Sequence, residues 1–567
     1  MKIKLNIIAY GMVAMMMTGC SDSFLDVESM TEGNSETFYK TESDAYRALI
    51  GCYAGWRETT STGSIPLVMS SIMQSDECFA GAGVGDATNY NVVDQFDLSQ
   101  APSYTNLWEN DWKAYYAAIF RCNTLIEKGE NIQWTNASKK GTYLGEAHAL
   151  RALCYFDMVR MFENIPLIEK ATQDNVPQAD PDAVYDLIFR DLKFAIENIP
   201  ADAYPKANAA SNDGHVTKYG AEGILARAYL FYKGRFGKEP AGCTKQDALD
   251  ACLDIIGSGE FGLVENFKNL WPAASSGPIT VGSEESYSYE DWLASSTYAG
   301  QGNKEFIISM KCNDTQDYNG NNDGNRWIVN IGLRGIQAID CSPYGYGWGI
   351  CTVNPELVKA YGVGDQRKAA SVIDVVGEGI EQKEGFEDCI ADQRQYTGYY
   401  VKKYTPMATT DCTPLPFAWG VTVGDAMTEQ WQDVIILRYA DVLLMAAELG
   451  APDAQLYFNM VRERAYREDN GNINSNYSEV TVSEDAIMKE RRLEFAFEGI
   501  RYYDLLRQGI DKAANTIACS AQVKDGGVAA TVNIVADNIK AKKGLCQIPN
   551  NQITRSNYVL KQNEGWK

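Results

Sequence analysis

Apolar residues recur at helical spacing through most of the first 270 residues of the chain. In the segment 41–56, TESDAYRALIGCYAGW, Ala45, Leu49, Cys52 and Tyr53 lie at positions i, i+4, i+7 and i+8. This spacing places their side chains on one face of an α-helix. The segment 105–127 repeats the pattern over a greater length, and its Trp108 and Trp112 are expected in the core.

Four more helices are predicted before residue 260, at 145–162, 180–200, 216–234 and 246–259. Proline stops the first two of them, at Pro166 and Pro200, because it cannot continue a helix. Small residues on the helix faces and short polar connections favour paired antiparallel helices of the tetratricopeptide kind. The sequence has no regular period of about 34 residues, so the prediction rests on the helix pattern and not on a strict repeat.

The pattern changes between residues 271 and 432, where Gly, Asn, Ser, Tyr and Trp are frequent and helical stripes are few. Short strands are predicted at 304–312 and 397–405, and the segment 342–353 is rich in aromatic residues and glycine. Long irregular segments inside a folded protein are often functional loops. Helices are predicted again at 433–466 and 484–508, and the polar tail 547–566 is expected to be extended.

The amino terminus has the features of an export signal. Lys2 and Lys4 precede an apolar stretch from Leu5 to Met17, which is shorter than the roughly 20 apolar residues of a membrane-spanning helix. The stretch runs into Met-Thr-Gly-Cys, which resembles the lipobox of bacterial lipoproteins. This resemblance implies cleavage after residue 19 and lipidation of Cys20. A plain signal peptide with an incidental cysteine is the alternative.

Charge and residue counts narrow the possible functions. The 567 residues carry a formal net charge of −24, which argues against binding to nucleic acid or to an anionic membrane surface. The 14 cysteines include no Cys-x-x-Cys pair, and several, such as Cys154 and Cys252, lie in apolar helical patterns. Buried free thiols are therefore expected, instead of disulfides or zinc ligands. The two histidines, His148 and His215, are expected to be structural.

Nine segments in a fixed order carry a resemblance to a known family. They are TESDAYRALIGCY, WKAYYAAIFRCNTLIE, GEAHALRALCYFDMVRMFENIPLI, AVYDLIFRDLKFAIENIP, VTKYGAEGILARAYL, ILRYADVLLMAAEL, FNMVRERAY, ERRLEFAFEGIRYYDLLRQG and QIPNNQI. Together, behind a lipobox, they resemble the SusD/RagB family of outer-membrane nutrient-binding lipoproteins of Bacteroidetes. The resemblance runs from Cys20 to the end of the chain and is weakest in the middle region.

The resemblance implies a mostly α fold, in which tetratricopeptide-like helix pairs form a right-handed helical scaffold. An irregular, loop-rich side with a few short strands would bind the ligand. The implied organisation is a signal peptide at 1–19 and a single domain at 20–567, with helical parts at 20–270 and 433–567 and a variable part at 271–432.

The same resemblance implies a cell-surface lipoprotein, held in the outer membrane through Cys20, that captures oligosaccharides or polysaccharides. It would deliver them to a TonB-dependent, SusC-like transporter without catalysis and without a cofactor. Three alternatives stay open: a peptide-binding relative like RagB, a surface glycoside hydrolase, and a purely structural scaffold.

Aromatic residues in Gly-, Ser- or Asn-rich surroundings are the candidate ligand contacts, because the faces of neutral sugars stack on aromatic rings and concave sites combine such surfaces with a few polar groups. Two or three of the aromatic residues are expected to line the site. The aromatic candidates are Phe79, Tyr90, Tyr289, Trp292, Tyr298, Trp327, Tyr344, Tyr346 and Trp348, and the polar candidates are Asp76, Asn325 and Arg326.

The motif ERRLEFAFEG also invites a catalytic interpretation. Glu490, Glu494 and Glu498 recur every four residues and are expected on one helical face, and paired carboxylates can hydrolyse glycosides. Arginines interleave with them, so ion pairs between helices are the preferred interpretation and no catalytic residue is assigned. These arginines are Arg491, Arg492, Arg501 and Arg507. The same structural role is expected of Arg438, Glu448, Arg462 and Arg464.

The segment 317–325, DYNGNNDGN, resembles a calcium-binding loop. Asn319, Asn321, Asp323 and Gly324 match positions 1, 3, 5 and 6 of an EF-hand pattern. Position 12 is Asn330, which lacks the bidentate carboxylate of a calcium site. An Asn/Gly turn cluster explains the segment equally well, so no metal is assigned although calcium stays possible.

Overall fold

Long α-helices make up the first half of the chain in the computed structural model, which describes residues 38–61, 65–170, 172, 174–209, 214–282, 286–313, 324–421 and 430–566. The helices of this half are α1 (Glu42–Ser61), α2 (Leu67–Gln74), α3 (Asn89–Gln95), α4 (Glu109–Gly129), α5 (Ala137–Phe162), α6 (Pro181–Asn198), α7 (Lys218–Phe236) and α8 (Lys245–Gly257). From α4 to α8 each helix packs against the next, and α1 packs against α4 and α5.

The starts of α5, α6 and α8 follow from local capping. The Asn136 side chain accepts hydrogen bonds from the backbone of Ser138 and Lys139, and α5 therefore begins eight residues before the predicted 145. Asp180 caps α6 directly before Pro181, which is favourable in the first helical turn. Thr244 and Asp247 form a capping box at the start of α8. Each predicted helix of this half is present.

The middle of the chain is built from short elements. They are β1 (Cys78–Ala80), α9 (Tyr289–Ser295), β2 (Phe306–Met310), α10 (Ile328–Ile331), β3 (Leu333–Arg334), β4 (Tyr346–Gly347), β5 (Cys351–Val353), α11 (Pro355–Ala360), α12 (Arg367–Ser371), β6 (Val372–Asp374), α13 (Phe386–Asp392), β7 (Tyr399–Val401), α14 (Leu415–Ala418) and β8 (Val434–Arg438). Strands β1, β5, β7 and β6 form an antiparallel sheet in that order. Strands β3 and β4 pair in parallel.

The last part of the chain returns to helices and extends the helical row, because α8 packs against the first of them. Its elements are α15 (Tyr439–Glu448), α16 (Ala454–Ala465), α17 (Glu484–Glu494), α18 (Arg501–Leu506), α19 (Ile510–Ile517), β9 (Cys519–Asp525), β10 (Val528–Ile534), α20 (Ala536–Ala541) and α21 (Asn550–Arg555). A mostly α fold with helix pairs and a few short strands is therefore confirmed.

Three local predictions need correction. The predicted helix 433–466 begins with strand β8, because its β-branched residues pair with the buried strand β2. The hairpin β9–β10 was not predicted; its two-residue turn, Gly526-Gly527, has positive φ at both positions, as a type I′ turn requires. The tail predicted as extended contains the short helix α21.

The buried hydrophobic side chains of the described residues form two cores. The main core joins the helices of both halves, and Trp108 and Trp112 are buried in it as predicted. The smaller one, here the loop-side core, packs residues of the middle region, among them Trp292, Leu333, Phe386, Leu415 and Trp431. The loop-rich side therefore has a rigid interior of its own, on which a binding surface can be built.

Cysteine and histidine residues have structural roles, as predicted. The cysteines within the described ranges form no disulfide, and Cys154 and Cys252 are buried. His148 Nδ1 lies 2.6 Å from Asp191. His215 lies 2.7 Å from the buried Glu146 and stacks on Tyr204 with ring centroids 4.1 Å apart.

Candidate functional site

Five aromatic side chains come together on the loop-rich side and form what is here called the aromatic cluster. Its members are Tyr289, Trp292, Tyr298, Trp419 and Trp431. The first two lie on α9, which begins with a capping box between Ser288 and Asp291. Trp419 directly follows α14, and Trp431 precedes β8. Residues far apart in sequence thus converge on one place.

The rings of the aromatic cluster contact one another closely. The ring centroids of Trp292 and Trp431 are 5.1 Å apart, those of Tyr289 and Trp431 are 5.4 Å apart, and those of Trp419 and Trp431 are 5.6 Å apart. All are tilted or edge-to-face, the arrangements that aromatic pairs prefer. The cluster therefore holds its rings in fixed orientations.

Burial divides the aromatic cluster into a support and a surface. Trp292 is 1% exposed and Trp431 4% exposed, so they form the support. Tyr289, Tyr298 and Trp419 are only half-buried. The Trp292 indole N–H donates to the Ser276 hydroxyl at 3.1 Å, which fixes the orientation of the supporting ring. The planes of Tyr289 and Trp419 lie 76° apart, so a flat ligand can stack on one half-buried ring at a time, without moving the two rings beneath them.

Polar groups border the aromatic cluster. The Gln301 amide donates to the Trp431 carbonyl at 2.9 Å, and Lys311 forms an ion pair with Asp433. Burial, and then the negative charge of Asp433, raise the pKa of Tyr289 to about 12. The phenol is therefore neutral at ordinary pH and can donate a hydrogen bond. Together these groups provide both donors and acceptors beside the rings.

Two further predicted residues pack around the same loop-side core. Tyr344 is buried within it, and its hydroxyl donates to Glu378 at 2.6 Å. Burial, and then Glu378, raise the pKa of Tyr344 well above its ordinary value. Tyr346, on β4, is half-buried against this core. With Tyr289, Trp292 and Tyr298, five of the twelve predicted contacts belong to this part of the molecule.

The segment Asn325–Trp327 lies beside the aromatic cluster, because Asn325 is hydrogen-bonded to the backbone on both sides of Trp431. The Asn325 backbone N–H donates to the Gln430 carbonyl at 2.7 Å, and its side-chain amide donates to the Gln432 carbonyl at 2.9 Å. These two bonds flank Trp431 and position it. Arg326 is exposed. Trp327 is 1% exposed and packs on Tyr404, so it has the position of a core residue.

Four predicted contacts lie away from the aromatic cluster. Asp76 is buried and holds two arginines: Arg501 Nε lies 2.7 Å and Arg492 Nη2 2.9 Å from its carboxylate. Phe79, on β1, is 1% exposed in the main core. Tyr90 and Trp348 are half-buried against the same core. In this arrangement Asp76 and Phe79 serve structural contacts.

Trp419 and Trp431 were not among the sequence candidates. They lie in PFAWG and EQWQD, inside the variable part 271–432 that supplied other candidates. The signal was present, because both tryptophans have the irregular surroundings that selected Trp292 and Trp348. What the sequence lacked was the pairing of their segments with α9, which only the fold brings about.

The acidic residues of ERRLEFAFEG form buried ion pairs, as predicted. Glu490 Oε1 lies 2.6 Å from Arg367 Nη1, Glu494 Oε1 lies 3.0 Å from Arg438 Nη1, and Glu498 Oε1 lies 2.8 Å from Lys403 Nζ. Helix α17 ends at Glu494, so the three glutamates do not share one helix face. Glu498 joins the network through a turn in which Phe497 has a φ of 67°.

The other charged residues of the C-terminal helices have the same role. Arg464 Nη1 lies 2.7 Å from Glu305, which also binds Arg438 at 2.6 Å. Arg462 pairs with Glu490 at 3.1 Å, and Arg507 pairs with Glu448. Arg491 lies 2.7 Å from Asp504. Buried carboxylates that are neutralised in this way hold helices together, and they do not face the aromatic cluster's rings.

The calcium prediction falls mostly outside the described residues, because Asn319, Asn321 and Asp323 belong to the range 314–323. Asn330, at position 12 of the pattern, is buried in α10. In the parts of the chain that the structure describes, no group of three or more His, Cys, Asp or Glu side chains is arranged to hold a metal ion. Cys20 and the predicted leader also lie outside these parts.

No α-helix within the described ranges combines the length and the apolar character needed to cross a lipid bilayer.

Two family models match the chain. The model of the SusD family matches residues 304–566, and a SusD-like model described as starch-binding associating with outer membrane matches residues 24–230. Together they span most of the sequence.

Similar sequences carry the same family name. SusD-like protein P2 of Formosa agariphila is 25% identical over 523 residues, which is 88% of this chain and 90% of the relative. A SusD-like protein of Bacteroides ovatus is 25% identical over 538 residues, with 89% and 82% covered. Both relatives therefore match this chain over nearly their whole length.

Solved structures show the same fold. A laminarin-binding SusD-like protein is 26% identical with a TM-score of 0.68, and the match covers 93% of this chain and 99% of that one. Surface glycan-binding protein A from Bacteroides thetaiotaomicron in complex with laminarihexaose is 20% identical with a TM-score of 0.70, covering 92% and 100%. The family models, the relatives and the fold agree, and the chain belongs to the SusD family.

Proposed function

We propose that this protein is a cell-surface lipoprotein that captures a glycan on the aromatic cluster and delivers it to a SusC-like, TonB-dependent transporter in the outer membrane. The aromatic cluster is the observation that carries the proposal. Its two buried tryptophans support three half-buried rings, and sugars present flat C–H faces to such rings while their hydroxyls pair with neighbouring polar groups. The proposal includes residues 20–567 as one domain, which the main core supports because it joins both helical parts.

The rings and the similar proteins support the proposed ligand class. Tyr289, Tyr298 and Trp419 provide separate stacking faces, because the planes of Tyr289 and Trp419 lie 76° apart. Gln301 and the Lys311–Asp433 ion pair supply polar partners beside these rings. Structures similar to this one are named for laminarin or were solved with laminarihexaose. Laminarin is therefore the first glycan to test, with starch as the second because of the family model's description.

The proposed function is capture without catalysis. The carboxylates that first suggested hydrolysis, Glu490, Glu494 and Glu498, are buried and neutralised by basic residues. A glycosidase needs two carboxyl groups facing the sugar, one of them able to give up a proton. Incubation of the protein with the bound glycan is expected to release no reducing sugar above the level of a heat-inactivated sample.

The binding experiment is affinity electrophoresis of residues 21–567 in gels that contain laminarin, starch or another polysaccharide. Retardation by one of them, and its loss in Trp419→Ala, is the expected result. Trp134→Ala is the matched control, because Trp134 is another half-buried tryptophan and lies on the helical part. Loss of retardation in both variants would contradict this location of the site. A chain that binds a peptide library and no glycan would favour the RagB-like alternative.

The anchor is tested separately in a cell that processes lipoproteins. The full-length protein is expected in the outer-membrane fraction, and Cys20→Ala is expected in a soluble fraction, because the acyl chains attach at this cysteine. Cys519→Ala, at a half-buried thiol, is the control and should stay with the membrane. Membrane association that survives Cys20→Ala would contradict the lipid anchor without affecting the proposal on glycan binding.

A further inference from the structure

A second cavity lies on the C-terminal helices, far along the chain from the aromatic cluster's α9. It has a volume of about 640 Å³ and is formed by α16, α17, the segment 480–483 and residues near Gly362. This cavity is here called the C-terminal pocket. Its apolar lining includes Phe458, Tyr466 and Leu493, and its basic lining includes Arg462, Lys489 and Arg492. Small-ligand sites have volumes of roughly 300–1,000 Å³.

The positive charge of the basic side chains that line the C-terminal pocket is larger than the negative charge of its acidic side chains. Lys489 is exposed and forms no ion pair with any residue that the structure describes. Arg492 pairs with Asp76 through Nη2, and its buried Nε has no hydrogen-bond partner among the described residues. Asp76 already accepts hydrogen bonds from Nε and Nη2 of Arg501, at 2.7 and 3.0 Å. One carboxylate thus serves two guanidinium groups.

Both acidic residues that line the C-terminal pocket already have basic partners, and for Asp485 the partner is Lys512 at 3.7 Å. Glu490 is buried and divides its two oxygens between Arg367, at 2.6 Å, and Arg462, at 3.1 Å. Asp485 is exposed to solvent. The pocket therefore has a basic wall in a chain whose formal net charge is −24. A surplus of basic groups in a strongly acidic protein marks the pocket as a site for an anionic group.

The apolar lining indicates what carries the anionic group. Phe458 and Tyr466 are buried side chains of the floor, and Leu493 is half-buried beside them. The Arg462 guanidinium lies 5.5 Å from the centre of the Tyr466 ring, which fixes one edge of this floor. A compact ring with apolar faces fits such a floor better than a free inorganic ion does.

We propose that the C-terminal pocket is a second saccharide site, specific for an acidic sugar unit. The carboxylate or sulfate of that unit would bind Lys489 and Arg492, and its ring would lie against the half-buried Leu493, above the buried Phe458. Lysine and arginine bind such oxyanions through charge-assisted hydrogen bonds. The proposal does not depend on the aromatic cluster, and a neutral glycan bound there would leave the C-terminal pocket free.

The test is isothermal titration calorimetry of residues 21–567 with trigalacturonate, and with a neutral galactose trisaccharide of the same length. Trigalacturonate is expected to bind and the neutral trisaccharide to bind at least about tenfold more weakly, since the charge-assisted contacts are lost. Lys489→Ala should weaken trigalacturonate about tenfold, and Lys170→Ala, at an exposed lysine of the helical part, should not change it. Trp419→Ala should also leave this affinity unchanged.

Four results would overturn the proposal. Equal affinity for the neutral trisaccharide would exclude an acidic specificity. Equal weakening by Lys489→Ala and Lys170→Ala would show only general attraction of anions. Binding of sodium sulfate as tightly as trigalacturonate would show an ion site without a saccharide site. Loss of trigalacturonate binding in Trp419→Ala alone would place the acidic sugar on the aromatic cluster. That result would refute the proposal on the C-terminal pocket and leave the proposal on glycan capture standing.

Discussion

Replacement of Glu494 by glutamine tests whether the acidic residues of ERRLEFAFEG are structural. The Glu494 carboxylate is fully buried and accepts hydrogen bonds from Arg464 at 2.5 Å, Arg438 at 3.0 Å and Arg367 at 3.3 Å. Burial by itself raises the pKa of this carboxyl. Arg464, Arg438 and Arg367 outweigh burial, and the pKa falls from its ordinary 4.5 to about 2.

The expected loss of stability follows from these contacts. Removing one partner of a buried ion pair costs about 3–5 kcal/mol, because a buried charge is left without compensation. Each arginine around Glu494 keeps another acidic partner, such as Glu305 for Arg438 and Asp365 for Arg367, so the lower end of this range applies. The lowered pKa corresponds to about 3 kcal/mol as well. Glu494→Gln should therefore lower the free energy of unfolding by about 3 kcal/mol.

The pH dependence has a definite sign. Because the folded-state pKa of Glu494 lies below its ordinary value, this carboxylate stabilises the fold above about pH 4.5, and that contribution is lost as the pH falls towards 2. The native protein should lose stability in this window. Glu494→Gln should lose less over the same window, because glutamine does not titrate.

The assay is urea unfolding at pH 7 and at pH 4, followed by tryptophan fluorescence and by circular dichroism. Glu484→Gln is the matched control, because Glu484 is exposed in the first turn of the same helix α17. Its change should stay below about 1 kcal/mol, the usual size of a charge effect at a helix end. A loss of less than about 1 kcal/mol in Glu494→Gln would refute a structural role for the network.

Two further predictions concern the interior. Burial, and then Asp76, raise the pKa of Glu77 to about 8, so the melting temperature of the wild-type protein should fall as the pH rises from about 4.5 to 8. Glu77→Gln should flatten that decline, and an equal decline in both proteins would count against the prediction. Trp431→Ala should cost about 3–5 kcal/mol, because it removes the buried ring on which four other rings of the aromatic cluster pack, whereas a cost near zero in urea unfolding would mean that the cluster does not support itself.

The helical part of the fold could be predicted from the sequence because its signals are local. Helices α1, α4, α6 and α8 show a 3.6-residue periodicity of apolar residues. Capping residues mark the starts of α5 to α8. Strand β8 was taken for helix because the short apolar run VIIL suits either element, and only its pairing with β2 decides between them. Periodicity thus predicts elements that form their own hydrogen bonds better than elements that need a distant partner.

The aromatic cluster could be predicted only in part. The composition of the middle region pointed to Tyr289, Trp292 and Tyr298, and the fold brings these three together. It did not point to Trp419 and Trp431, which reach them across more than 100 residues of sequence. Asp76 has the residue type of a ligand contact, but its carboxylate binds Arg492 and Arg501 from the other end of the chain.

The central claim is that the aromatic cluster captures a glycan, and the most direct measurement is affinity electrophoresis in laminarin of the native protein, Trp419→Ala and Trp134→Ala. The account predicts that laminarin retards the native protein and Trp134→Ala, and that Trp419→Ala migrates as it does in a gel without glycan. Equal retardation of all three proteins would contradict the claim and would place the glycan elsewhere on the chain.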